Sequence, residues 1–192
     1  KGLSDIGMVS RKLKPNENDL TQFTIALDGV GVILNKENPV SALSKDQIIS
    51  IYRGKITNWK VVGGPDRSIT VVNKAEGRST LELFLSYTGL KSNEVKPHIV
   101  IGDNEQGIKT VAGNRDAIGY VSIGSAEFAV SNNVKIKLLA AGKVAASLEN
   151  IKNGTYELSR PLNLVLKGAP NKLEQEFIKY AQSAKVNNVF KE

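Results

Sequence analysis

The sequence predicts an α/β fold, and three observations carry that reading. Segments that alternate apolar and polar residues interleave with segments of helical period, as in layers of helices on a sheet. Several helical segments open on a capping residue or stop at a glycine. The composition is that of an ordinary globular chain: of 192 residues, 41% are hydrophobic and 23% charged. No apolar run approaches the ~20 residues that a membrane-spanning helix needs. A chain of this length makes one large domain or two small ones. It can bury a core without a metal or disulfide to hold it.

The elements follow in order. Residues 4–9 (SDIGMV) read as a strand, and the polar stretch 11–20 as a loop. Residues 22–34 form a long β-rich run, which Asp28-Gly29 is expected to interrupt with a turn or bulge. Ser44 with Gln47 forms a capping box, opening a helix over 44–53 that ends at Gly54. A short strand at 69–72 precedes a helix from Thr80 to Tyr87 that stops near Gly89. Strand 98–101, helix 104–112, strand 117–122 and helix 124–131 come next. Val134, Ile136 and Leu138 alternate in a strand over 134–139, and 147–152 reads as a short helix. Strand 161–166 leads to an amphipathic helix over 171–183, with Leu173, Phe177, Tyr180 and Ala181 on one face.

Composition then narrows the function classes. Lys and Arg total 26 against 19 Asp and Glu, a net charge of +7 that favours anionic partners. Twenty of those cations are Lys, and they are scattered. Nucleic-acid proteins more often cluster basic residues among aromatics, which here are only 6% of the chain. A solubilising lysine surface is the plainer reading, and no nucleic-acid partner is expected. Without cysteine there is no disulfide, thiol nucleophile or Cys-bound zinc. A single histidine, His98, leaves no multi-His metal site and one candidate base. It precedes an apolar strand and reads as structural. No paired carboxylates stand at a spacing suited to hydrolysis. The opening Lys1 without an apolar leader is what a processed or trimmed chain would show.

The sharpest local feature is Lys74-Ala75-Glu76-Gly77-Arg78-Ser79-Thr80, which follows a strand and opens a helix. A helix start offers unpaired backbone N–H groups and the positive end of the helix dipole. Glycine permits close backbone approach. Lys74 and Arg78 add charge, and Ser79 and Thr80 add hydroxyl donors. These are the ingredients of a tetrahedral oxyanion site. The same residues also read as a bare turn and a capped helix, with Ser79 as cap and Glu82 as its reciprocal partner. The loop is not a Walker A loop, since the G-x-x-x-x-G-K-[ST] spacing is missing. Ser10-Arg11, at the end of the first strand, could hold an anion through a hydroxyl and a guanidinium fork, or form a solvated loop end. Trp59 reads as packed beneath a loop rather than as a stacking platform.

Taken together, these landmarks resemble one family. They are Asp5-Ile6-Gly7-Met8 with Ser10-Arg11, Ala26-Leu27-Asp28-Gly29-Val30, Asn38-Pro39-Val40, and Ile51-Tyr52-Arg53-Gly54-Lys55-Ile56-Thr57-Asn58-Trp59. Gly63-Gly64, the Lys74–Thr80 loop, Ala117-Ile118-Gly119-Tyr120-Val121-Ser122, Arg160-Pro161-Leu162 and Lys167-Gly168 complete the series. In this order they resemble the phosphate-binding proteins of bacterial ABC transporters, a branch of the type II periplasmic binding proteins. The resemblance runs from about Ser4 to the C-terminus.

That resemblance implies the type II periplasmic-binding-protein fold, two α/β lobes with a ligand cleft. Residues 1–25 and 125–192 are expected in lobe I, and 26–124 in lobe II. It implies a non-enzymatic protein without cofactor or metal. The protein would be periplasmic or extracellular, often lipid-anchored, and would hand inorganic phosphate or a similar oxyanion to a membrane permease. The implied ligand residues are Ser10, Arg11, Lys74, Glu76, Gly77, Arg78, Ser79 and Thr80. The family loop typically reads Arg-x-Asp/Glu-Gly-Ser-Gly-Thr. Lys74 stands at the position of its Arg, keeping the charge but losing the bidentate fork. Arg78 stands at the position of a small Ser, and Thr80 is retained. Ser10 lies where some members carry an Asp that accepts the proton of hydrogen phosphate, so discrimination against sulfate is weakened. Family members carry roughly fifty more residues before the Asp-Ile-Gly strand. Lobe I is therefore expected to be incomplete: the chain is a fragment, or the missing N-terminal segment is supplied by another chain or by exchange. The competing reading is a phosphate-sensing or interaction module on the same fold with reduced anion binding.

Overall fold

Nine strands and six α-helices lie among residues 4–141 and 144–186, which the computed structural model describes. The first half of the chain holds β1 (Gly7–Val9), β2 (Leu20–Asn35), β3 (Ala42–Leu43), α1 (Lys45–Tyr52), β4 (Thr70–Lys74) and α2 (Ser79–Thr88). Then follow β5 (Ile99–Ile101), α3 (Asn104–Gly113), β6 (Ala117–Ser122), α4 (Ile123–Ser131) and β7 (Ile136–Leu138). The chain closes on β8 (Ala140–Ala141), α5 (Leu148–Lys152), β9 (Ser159–Lys167) and α6 (Lys172–Ala181). Each strand and helix expected from the sequence has a counterpart, and the expected α/β class stands.

The chain divides into two units, one running up to Asp28 and resuming at Arg160, the other Gly29–Ser159. These boundaries differ from the expected lobes, which assign 125–159 to the first. In the structure Ala126, Ala129, Ile136 and Ile151 are buried in the cores of the Gly29–Ser159 unit. Asp28-Gly29 does not interrupt β2, which runs unbroken from Leu20 to Asn35. The glycine is there for a close approach. A Cβ at Gly29 would stand 2.5 Å from Ile151 Cδ1, and one at Gly31 2.4 Å from Leu138 Cδ2.

In the Gly29–Ser159 unit, β2 pairs antiparallel with β6 and β7, while β4 runs parallel to both β6 and β5. A short parallel pair, β3 with β8, stands apart. Alternation splits each central strand between two cores. Val30, Val32, Leu34, Val71, Ile118 and Tyr120 meet Ile48, Ile51 and Tyr52 of α1 and Leu81 and Phe84 of α2. Ile33, Val72, Ala117 and Val121 meet Ile108 and Val111 of α3 and Ala126 and Ala129 of α4. A strand buried on both faces reads as a nearly continuous apolar run, as Ala117–Val121 does. The sole tryptophan, Trp59, is wholly buried, its indole N–H donating to Asp116 O at 3.0 Å. His98 is structural, its Nδ1 accepting the Val71 N–H at 3.0 Å.

In the other unit, β1 pairs antiparallel with β9. Its core is small: Leu164, Leu166 and Ile178, with Ile6, Phe23, Ile25 and Ala181 partly buried against them. Arg160 donates to Asp28 at 2.9 Å, a pair whose guanidinium side is only 8% exposed. The expected apolar face of α6 is largely uncovered. Ile178 is buried, but Leu173 is 76%, Phe177 51% and Tyr180 55% exposed. The helix meets the small core through Ile178, with Ala181 partly buried against it.

Candidate functional site

Parallel strands β4, β5 and β6 end on the same side of their sheet, and α2, α3 and α4 begin there. The crevice outside the carboxyl ends of such strands is where open α/β sheets take ligands. Lys74 closes β4 with only 2% of its surface exposed. Ala75 N–H donates to Ile101 O at 2.8 Å, which carries the pairing one residue further. The chain then reverses at Gly77, whose φ of +78° lies in the left-handed region that favours glycine.

The helix that follows begins differently from the sequence expectation. Its N-cap is Arg78, with no side-chain cap, and Ser79 is already the first helical residue. The Ser79–Glu82 capping box therefore does not form. By contrast Ser44, Asp103, Ser147 and Asn171 each cap their helix with a side-chain oxygen. The first amides of a helix have no partner within it, so the start of α2 presents backbone donors at its positive dipole end, an arrangement that suits an anion. Thr80 is buried in this first turn at 8% exposure. Arg78 is exposed, with its guanidinium near Gly102: a Cβ there would stand 3.6 Å from Arg78 Nη2. Among the described residues no carboxylate forms an ion pair with Arg78 or Lys74.

A polar network supports the loop from beneath. Lys74 Nζ donates to Asn104 Oδ1 at 2.9 Å. That oxygen also accepts the Ser122 N–H at 3.4 Å, and Asn104 Nδ2 donates to Ser125 Oγ at 3.3 Å. The Tyr120 hydroxyl accepts the Lys74 N–H at 3.3 Å and donates to Asn73 Oδ1 at 2.6 Å. Its ring stacks on Phe84 of α2 with centroids 4.1 Å apart. Burial pushes the Lys74 ammonium down to about 8 from its ordinary 10.5; Asp103 opposes this and Arg78 adds to it.

The other expected residues fall as follows. Glu76 is exposed and accepts from Ser92 Oγ at 2.9 Å. Ser10 is half-buried just past β1. Arg11 meets Glu17 in a two-pronged pair, both bonds 2.7 Å. That guanidinium holds the Glu17 carboxyl down at about 2. Asn104, Ser125 and Asn73 were not among the expected site residues. Their only signal in sequence is position: each sits at a strand end or in the first turn of the next helix. Cations and donors dominate the arrangement, which suits holding an anion. Among the described residues no three His, Asp or Glu come together as a metal site.

A family model described as a PBP superfamily domain matches residues 1–185. The phosphate-binding protein PstS of Staphylococcus haemolyticus is 32% identical over 93% of this chain and 61% of its own length. An ABC-type phosphate transport receptor from Vibrio cholerae is 34% identical, with a TM-score of 0.82 over 98% of this chain and 78% of that one. An ABC transporter substrate-binding protein from Clostridium perfringens, solved with bound phosphate, is also 34% identical. Its TM-score is 0.83, over 98% of this chain and 76% of that one. The chain spans between half and two thirds of the length of the curated relatives it matches.

Proposed function

We propose that this chain, which belongs to the PBP superfamily and within it to the phosphate-binding proteins of ABC transporters, binds inorganic phosphate or a similar tetrahedral oxyanion and delivers it to a membrane permease. The observation that carries the reading is the start of α2, without a side-chain cap, beside the buried ammonium of Lys74. Lys74 and Arg78 supply charge. Ser79 and Thr80 supply hydroxyls, and the first amides of α2 supply backbone donors. Gly77 lets the backbone turn toward the ligand, and Glu76 braces the loop through Ser92. The reading is binding rather than catalysis, because the similar proteins are phosphate-binding and substrate-binding receptors. Its setting is the periplasm or the cell surface, where a receptor meets its permease.

Calorimetric titration of phosphate into the anion-stripped protein at low salt, with sulfate as the control, tests this reading. Phosphate should bind with micromolar affinity or tighter. Replacing Thr80 with Val should weaken it about tenfold through one lost hydrogen bond. Unchanged affinity in that variant would remove the Thr80 hydroxyl from the site.

A further inference from the structure

Lys74 ends β4, and Asn104 begins α3, 30 positions along the chain. Their side chains meet at 2.9 Å. Asn104 is itself held from two sides, by the Ser122 N–H on its oxygen and by Ser125 Oγ on its nitrogen. These bonds also fix which end of the amide faces Lys74. We infer that Asn104 is a positioning residue for the anion: its neutral oxygen anchors the Lys74 ammonium without cancelling the charge. The inference rests on the phosphate-binding reading and adds to it a residue which the loop itself does not contain.

The alternatives at this position show why an amide suits it. A carboxylate would hold the ammonium more strongly, but it would neutralise the charge that attracts the anion. A hydrocarbon would leave a buried ammonium without an acceptor, an arrangement that is strongly unfavourable. The amide orients the group by its dipole and carries no net charge. An ammonium has three donors; one goes to Asn104, which leaves two. Lysine needs such an anchor more than arginine does, because its charge sits on a flexible four-carbon stem without a planar fork. The other groups around Lys74 do not supply the anchor. Arg78 on α2 repels the ammonium. Asp103 on α3 attracts it from a distance, while its carboxylate caps the helix at the Gln106 N–H, 2.8 Å away. Tyr120 on β6 meets the backbone N–H of Lys74, not its ammonium.

The test compares wild type with Asn104→Ala and Asn104→Asp in the full chain. Phosphate affinity is measured by calorimetry, and the Lys74 titration by NMR of its labelled ε-carbon. Thermal unfolding confirms that each variant is folded. Asn104→Ala should weaken phosphate binding about three- to tenfold. Asn104→Asp should weaken it more than about tenfold at neutral pH, through charge cancellation, while moving the Lys74 midpoint upward. Adding Lys74→Arg to Asn104→Ala should recover most of the loss, since a guanidinium organises its own bonds. If Asn104→Ala does not fold, Asn104→Ser replaces it, with the same loss expected. Wild-type affinity in Asn104→Ala or Asn104→Asp overturns the inference, as does an unmoved Lys74 midpoint in Asn104→Asp. A wild type that binds neither phosphate nor sulfate brings down the binding reading instead; the NMR midpoints then still decide whether Asn104 holds the ammonium.

Discussion

Lys74 combines burial and charge at the end of β4. It is a cation at 2% exposure, without a carboxylate partner among the described residues, and burial lowers its pKa to about 8. Two consequences follow for pH. The unfolded chain keeps the Lys74 proton up to its ordinary 10.5, while the folded chain releases it near 8. Between these values the unfolded state binds more protons, so the contribution of Lys74 to stability rises with pH across that window. Below it, the folded state carries the unfavourable burial of a charge. On the proposed reading anion binding has the opposite sign, because the ligand would need the ammonium. Sulfate does not titrate in this range, so its affinity should hold up to about pH 8 and fall beyond it. Calorimetry between pH 6.5 and pH 9.5, chosen to bracket the Lys74 transition, checks this. A flat profile would mean that Lys74 does not touch the anion. The charge at this loop position was legible in the sequence. Its burial and its partner were not, because both depend on where β5 and β6 bring α3 and α4.

At the scale of elements, α2 and α6 depart most from their sequence patterns. The Ser79–Glu82 spacing suits a capping box, yet the helix takes Arg78 as its N-cap. The turn at Gly77 brings the chain into the helix one residue earlier than the box requires. The pattern in α6 suits a helix laid on a core by Leu173, Phe177 and Tyr180, yet Ile178 is its only buried residue. Stability measurements should separate these faces. Ile178→Ala should cost about 2–4 kcal/mol in chemical unfolding, as a buried large-to-small change does. Phe177→Ala should stay within about 0.5 kcal/mol, as a surface change does. A large loss at Phe177 would mean that the helix face is covered in solution. Most other elements were legible because period and turn chemistry agree locally. Val71 and Val72, for instance, serve opposite cores from adjacent positions of one strand.

For the whole molecule, the charge of +7 sets how anions approach. Scattered lysines raise the potential over the surface and draw anions toward it. The effect is long-ranged, so salt should weaken it. The screening length shrinks from about 30 Å at 0.01 M salt to about 8 Å at 0.15 M. The association rate of phosphate should fall severalfold across that range, with a smaller change in dissociation, as stopped-flow measurement would show. An association rate that does not change with salt would mean that the surface lysines do not steer the anion. Division of the chain at 28/29 and 159/160 was not legible in the sequence. Strand β2 crosses the first boundary without a break in its pattern, and α4, β7 and α5 carry no local mark of the unit they join.

The sequence by itself determined the α/β class, the order of strands and helices, and the Lys74–Thr80 loop between a strand and a helix. It determined the family too, because each landmark is a short run of neighbours along the chain. Only the tertiary structure decided which charges are buried, where α2 begins, which face of α6 stays exposed and which residue holds the Lys74 ammonium. Local pattern cannot carry such facts. The meeting of Lys74 with Asn104 spans 30 positions, and it exists only because β4, β5 and β6 lie parallel and end together.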